Sequence, residues 1–149
     1  MFDIFIPRQV WHGILARARR ADLLSCLAKG PELPGFVRLR GPETGMSMVR
    51  GRAGGGGAAF NLGEMTLSRC SIRDDAGRIG HGYAAGRDLQ QVELIARLDA
   101  ALQDETLYPA YHGAVLVPLA AAEAARQADI QARAAATEVK FFTMAAMRG

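Results

Sequence analysis

Over residues 35–86 the sequence alternates apolar and polar residues, and it is punctuated by glycine, including the run Gly54–Gly57. On either side the apolar residues return at helical spacing. A period of two side chains belongs to a strand, and a recurrence at three and four belongs to a helix. The chain is therefore constrained to hold a β unit between two helical segments.

Within the β unit, Val37 and Leu39 alternate with Phe36, Arg38 and Arg40, which predicts one apolar face and one basic face. Gly41-Pro42 reads as a break. Met46, Met48, Arg50 and Arg52 then share one face of a second run. Four glycines lose too much freedom inside a strand, so Gly54–Gly57 reads as a hairpin tip. The chain returns through Ala59–Leu62 and a longer strand from Met65 to Arg73, with Thr66, Ser68, Cys70 and Ile72 on one face. Asp74–Gly77 is a turn, and Ile79, His81 and Tyr83 alternate with Gly80 and Gly82. Short connections between successive strands favour an antiparallel meander.

The flanks are helical. Val10, Trp11, Ile14 and Leu15 form one stripe after Pro7, and Leu23, Leu24 and Leu27 form a second that ends at Gly30-Pro31. Trp11 and His12 read as a core tryptophan beside a surface histidine. Downstream, Asp88 is a good N-cap for Leu89, Val92, Ile95, Leu98 and Leu102, a helix expected to end near Glu105. Tyr108–His112 reads as a loop around Pro109. Pro118 is expected to start a long Ala-rich helix. The tail with Phe141, Phe142 and Met144 is expected to be buried, in this chain or in a neighbour.

The expected fold is thus α+β, in one domain over residues 1–149. A helical pair covers residues 6–30, and an antiparallel sheet of about four or five strands covers 35–86. Two helices over 88–136 pack on the sheet, and an apolar tail covers 137–149.

The formal charge of +3 permits an acidic partner without demanding one. Neither Cys26 nor Cys70 belongs to a C-x-x-C pair, and no His/Cys cluster has zinc spacing, so no metal site is expected. No apolar run approaches the roughly 20 residues of a spanning helix, and no leader pattern opens the chain. The expected location is the cytoplasm, with no membrane partner.

Chemistry-bearing candidates are few. The glycine run between Arg52 and Phe60 lacks G-K-[ST], so it is no phosphate loop of the Walker type. Arg50 and Arg52 flank it and suit oxyanions or a partner's carboxylates. Aromatic residues do not interleave with the arginines as a single-strand binder needs, which argues against nucleic acid. No G-x-S-x-G is present. His81, held between two glycines, and Arg87-Asp88, where strand gives way to helix, are the remaining candidate site residues. An alternative reading is a stand-alone basic module that binds a nucleotide or nucleic acid.

The motifs, taken in order, resemble one known family. They are Arg8-Gln9-x-Trp11, Glu43-Thr44-Gly45, Arg52 with its glycines, Phe60-Asn61-Leu62-Gly63-Glu64, Thr66-Leu67-x-Arg69, Gly80-His81-Gly82-Tyr83, Gly86-Arg87-Asp88 and Thr137-x-Val139-x-Phe141-Phe142-Thr143-Met144. Together they are similar to PhnG, a small subunit of the bacterial carbon–phosphorus lyase core complex. A longer glycine run and an Ala-rich extension before Thr137 are the departures. The resemblance implies an accessory subunit of a complex that attaches a phosphonate such as methylphosphonate to the ribose of ATP, expelling adenine. It implies the family's H, I, J and L subunits as partners, with adenine displacement on the I subunit and radical chemistry on the J subunit. It implies no cofactor of its own, ATP and phosphonate being substrates of the complex. A homo-oligomer is an option for the isolated chain.

Overall fold

The computed structural model describes residues 5–54 and 56–139. Phe141, Phe142 and Met144 lie outside the described residues. The element order is α1 (Arg8–Arg17), α2 (Arg20–Leu27), β1 (Phe36–Gly51), β2 (Phe60–Asp74), β3 (Ile79–Ala85), α3 (Leu89–Ala101), α4 (Tyr108–Tyr111) and α5 (Val117–Ala136). A single π turn, His112–Leu116, joins α4 to α5. The class is α+β, with a helical start, an antiparallel sheet in the order β1-β2-β3 and helices after it.

The sheet has three long strands where about four or five shorter ones were expected. Gly41-Pro42 does not break β1, because register shifts around it absorb the irregularity and pairing resumes at Glu43↔Arg69. Gly41 takes φ +68, a region open to glycine. Likewise, β2 runs unbroken from Phe60 to Asp74, taking up a shift opposite Val49/Arg50. Such shifts bend a strand without ending it.

Even-numbered residues of β2 turn inward: Ser68, Cys70, Ile72 and Asp74 are buried. Register then fixes β1. Phe36 lies opposite Asp74 and Arg38 opposite Ile72, so these two face the helices. Arg38 pairs with Glu93 of α3 at 2.5 Å, and the Arg97 guanidinium lies over the Phe36 ring. Val37 and Leu39, the expected apolar face, are therefore half exposed on the other side.

α3 covers the inner face of the sheet. Val92, Ile95, Ala96 and Leu98 are buried against Cys70, Ile72 and Ala84. Gly80 and Gly82 make this approach possible. A Cβ on Gly80 would run into the Ala96 carbonyl oxygen, and one on Gly82 into that of Val92. Helix backbone thus lies directly on strand backbone. α1 closes the β3 side through Trp11 and Leu15.

The last helical segment differs from expectation. Tyr108–Tyr111 is helical, with Pro109 in its first turn, where the missing N–H costs nothing. Pro118 stands in the first turn of α5, as expected, but the helix follows directly on the π turn. The π turn just before it, in which the Val117 N–H donates to the His112 carbonyl, widens the helix where proline would otherwise clash with the preceding turn. α3 ends at Ala101, earlier than expected, and Asp104 then caps the next turn through the Thr106 and Leu107 N–H groups. α5 packs on α1 and α2 rather than on the sheet, and only Leu119 is buried along it. Among the described residues no helix is long and apolar enough to cross a membrane.

Adding one methyl group at Gly82 should cost stability at the upper end of the roughly 1–3 kcal/mol typical of overpacking, because neither backbone can yield. Gly82→Ala should then lower Tm by roughly 5–10 °C for a chain of this size. Gly63→Ala, whose added Cβ meets nothing within 4 Å, is the control and should leave Tm nearly unchanged. Thermal melts of the two variants check this. Equal melting would show that α3 can rise from the sheet at little cost.

Candidate functional site

The densest polar constellation forms where α1, α3 and β3 meet. Asp99 falls on the buried stripe of α3, one turn after Ile95, and its side chain is fully buried. Its Oδ1 accepts from Arg8 Nε at 3.0 Å, from Trp11 Nε1 at 2.9 Å and from His12 Nε2 at 2.9 Å. Its Oδ2 accepts from Arg8 Nη2 at 2.5 Å and from the His81 backbone N–H at 2.8 Å. Arg8 also donates to the Ile79 carbonyl at 3.1 Å. One carboxylate thereby ties two helices to the edge strand.

Burial alone would raise the Asp99 carboxyl. The donors from His12, Arg8, the His81 backbone and Trp11 outweigh it and hold the group well below the usual carboxylate range.

Beside this hub lies an open groove of about 460 Å³. Gln9, His12, Gly13 and Ala16 of α1 form one wall, and His81 and Tyr83 of β3 form the other. Its surface is mainly apolar. The His81 Nδ1 stands 2.9 Å from Ser71 Oγ on the neighbouring strand, so one of its ring nitrogens is already engaged. The groove therefore presents two imidazoles whose orientations are fixed from behind, one by Asp99 and one by Ser71. It can take a small apolar or planar group, with the histidines and Gln9 supplying hydrogen bonds.

A second cluster forms at the other end of β3. Ser68 Oγ donates to the Gly86 carbonyl at 2.7 Å and lies 3.0 Å from Thr44 Oγ1. Glu43 accepts from Arg40 and from Arg69, each at 2.7 Å. Those bonds, with Arg40 first, lower the Glu43 carboxyl. This arrangement crosslinks β1, β2 and the turn into α3. Gly86 takes φ +99 in that turn.

The residues singled out from sequence do not converge on one place. His81 borders the groove. Asp88 caps α3, accepting from the Gln91 N–H at 3.1 Å, and pairs with Arg20 at 3.3 Å, so its carboxylate is spent on structure. Arg87 is exposed and has no ion pair among the described residues. Glu43 is held by Arg40 and Arg69 and does not pair with it. Arg50 and Arg52 lie near the β1–β2 tip, far along the chain from the groove, and also show no ion pair among the described residues.

Sequence reasoning missed Asp99 and understated His12. The signal for Asp99 was available: a carboxylate on the apolar stripe Val92-Ile95-Ala96 needs donors, and Trp11 and His12 were within reach on a neighbouring helix. His12 is half-buried and part of the hub, whereas Trp11 is the buried tryptophan expected. Among the described residues no group of three His, Cys, Asp or Glu side chains could hold a metal ion.

The contact set of Asp99 yields a signed prediction. Asp99→Asn leaves the Arg8, Trp11 and His81 donors poorly matched and should cost about 3–5 kcal/mol at neutral pH, as breaking a buried pair does. The folded carboxyl is depressed relative to about 3.9 in the unfolded chain, so its contribution is full above that value and fades as pH falls below it. Urea melts from pH 7 to pH 2 should show the gap between wild type and variant shrinking below about pH 4. A gap that stays constant over that range would contradict the assignment.

Residues 6–149 match the family model described as "Phosphonate metabolism protein PhnG". The chain is 42% identical over 134 residues to a curated protein of Rhizobium meliloti (strain 1021), covering 88% of this chain and 83% of that one. That relative is named alpha-D-ribose 1-methylphosphonate 5-triphosphate synthase subunit PhnG.

Proposed function

The chain belongs to the PhnG family, and we propose that it serves as an accessory subunit of a ribose 1-methylphosphonate 5-triphosphate synthase in phosphonate catabolism. In this reading it works with the H, I, J and L subunits of the family. The assembly moves the ribose triphosphate of ATP onto the phosphonate and releases adenine. The chain brings no cofactor of its own.

The observation that carries the accessory role is how the reactive groups are used. Displacement at an anomeric carbon needs a proton for the leaving base, a placed anionic nucleophile and cationic clamps on the triphosphate. Asp99, a fully buried carboxylate with several donors, faces inward and is saturated by them. Asp88 and Glu43 are spent on a helix cap and on a crosslink between strands. What the chain offers outward is surface: the groove with His12 and His81, exposed arginines, and two elements that project from the core. The groove and Arg87 are the places where it would touch substrate or the catalytic neighbour.

Reconstitution tests this. Purified alone, the chain should release no adenine from ATP and methylphosphonate. Added to the remaining subunits it should restore release. Arg87→Ala should keep its melting temperature, since the side chain is exposed, and lower the restored rate several-fold. Adenine release by the isolated chain would overturn the accessory role. An assembly that turns over equally well without it would overturn membership of the synthase.

A further inference from the structure

β3 pairs with β2 only from Arg73↔Ile79 to Leu67↔Ala85. Beyond that point β1 and β2 continue alone, from Met46↔Thr66 to Gly51↔Phe60. Residues 46–51 and 60–66 therefore form a two-stranded ribbon that leaves the body of the protein. A strand advances about 3.3 Å per residue, so six residues carry the ribbon roughly 20 Å outward.

A two-stranded ribbon is marginal in water by itself, and among the described residues this one has no third strand. It nevertheless carries Met46, Met48, Phe60, Leu62 and Met65, all exposed, with Met46 at 67% and Leu62 at 59%. Among the described residues no helix covers its inner face, where Met46 and Met48 continue the row of Thr44 and Arg38. Its other face carries Gly45 and Gly63, where an added Cβ would meet nothing within 4 Å. Among the described residues nothing pairs with the outer backbone edges of the two strands. This is the make-up of a surface that is finished by another chain.

Charge selects the kind of chain. The ribbon bears Arg50 and Arg52 near its tip, unpaired among the described residues, and a single acid, Glu64. Two copies laid together would oppose four arginines to two glutamates. A second copy of this chain is therefore a poor occupant.

We propose that the ribbon is the arm by which this chain enters a neighbouring subunit, seating Met46, Met48 and Leu62 in an apolar cleft with an acidic rim that receives Arg50 and Arg52. The proposal rests on the subunit reading given above and specifies the surface that realises it. Unbranched methionines adapt to an irregular cleft, which suits an arm that must thread into a partner. The arginines steer the approach and fix how far the arm inserts.

Co-expression of the full chain with the other synthase subunits, followed by size-exclusion chromatography, tests the proposal. Met48→Asp with Leu62→Asp should leave circular dichroism and melting of the isolated chain unchanged, because both side chains are more than half exposed. It should reduce the fraction co-eluting with partners at least tenfold. Arg50→Glu with Arg52→Glu guards against a folding artefact of the first pair. It should weaken co-elution at low salt and remove most of the salt dependence seen with the wild type.

Co-elution of both double variants at the wild-type level would overturn the arm while leaving the subunit reading intact. Failure of the wild-type chain to co-elute with any synthase subunit would overturn both. A wild-type dimer in sedimentation that Met48→Asp with Leu62→Asp converts to monomer would make a second copy the occupant and overturn the proposal.

Discussion

At Gly80 and Gly82 the backbone of α3 lies against β3 at a separation that no side chain at those two positions would allow. Gly80 and Gly82 make the separation possible, and the Ala96 and Val92 carbonyls occupy the space their side chains would have filled. Most of the structure follows from this contact. It sets the depth at which Val92, Ile95 and Leu98 meet Cys70 and Ile72. It also brings Asp99 level with the His81 N–H, so that one carboxylate can bind the strand and, through Arg8, Trp11 and His12, the first helix. The glycines thus account for the close packing, and Asp99 accounts for the placement of α1.

This division explains what could be read from the residues and what could not. The strand unit between two helical segments was legible because alternation and helical spacing are local signals. The cap at Asp88 and the turn at Gly86 were legible for the same reason. Strand number was not, because Gly41-Pro42 looks like a break until its neighbours show that register shifts carry the pairing past it. The side on which Val37 and Leu39 lie was not legible either. It depends on β2 burying Cys70 and Ile72, a fact about the partner strand. Pro118 marks the first turn of α5, as its residue type suggests, but the π turn that leads into it has no local signal in the sequence. Of the site, His81 was found and Asp99 was not. A lone aspartate on an apolar stripe becomes informative only when its donors on another helix are counted.

Around the compact centre the chain extends two elements that bury little against their own body: the β1–β2 ribbon and the far part of α5, where Ile130 is exposed. Exposed apolar side chains on a marginal ribbon are costly for a protein that works alone and useful for one that works inside an assembly. The family assignment and this surface therefore agree on one division of labour. The centre supplies rigidity through Gly80, Gly82 and Asp99. On the proposed reading the projecting elements supply contact, and the groove between α1 and β3 supplies a recess that presents two fixed imidazoles.

Native-state hydrogen exchange on the isolated chain tests that division most directly. Amides of α3 and of β2 from Ser68 to Asp74 should exchange only through global unfolding, with protection that drops together in Asp99→Asn. Amides of residues 46–51 and 60–66 should exchange orders of magnitude faster and be insensitive to that substitution. Ribbon amides as well protected as those of α3, and falling with them in the variant, would contradict the account.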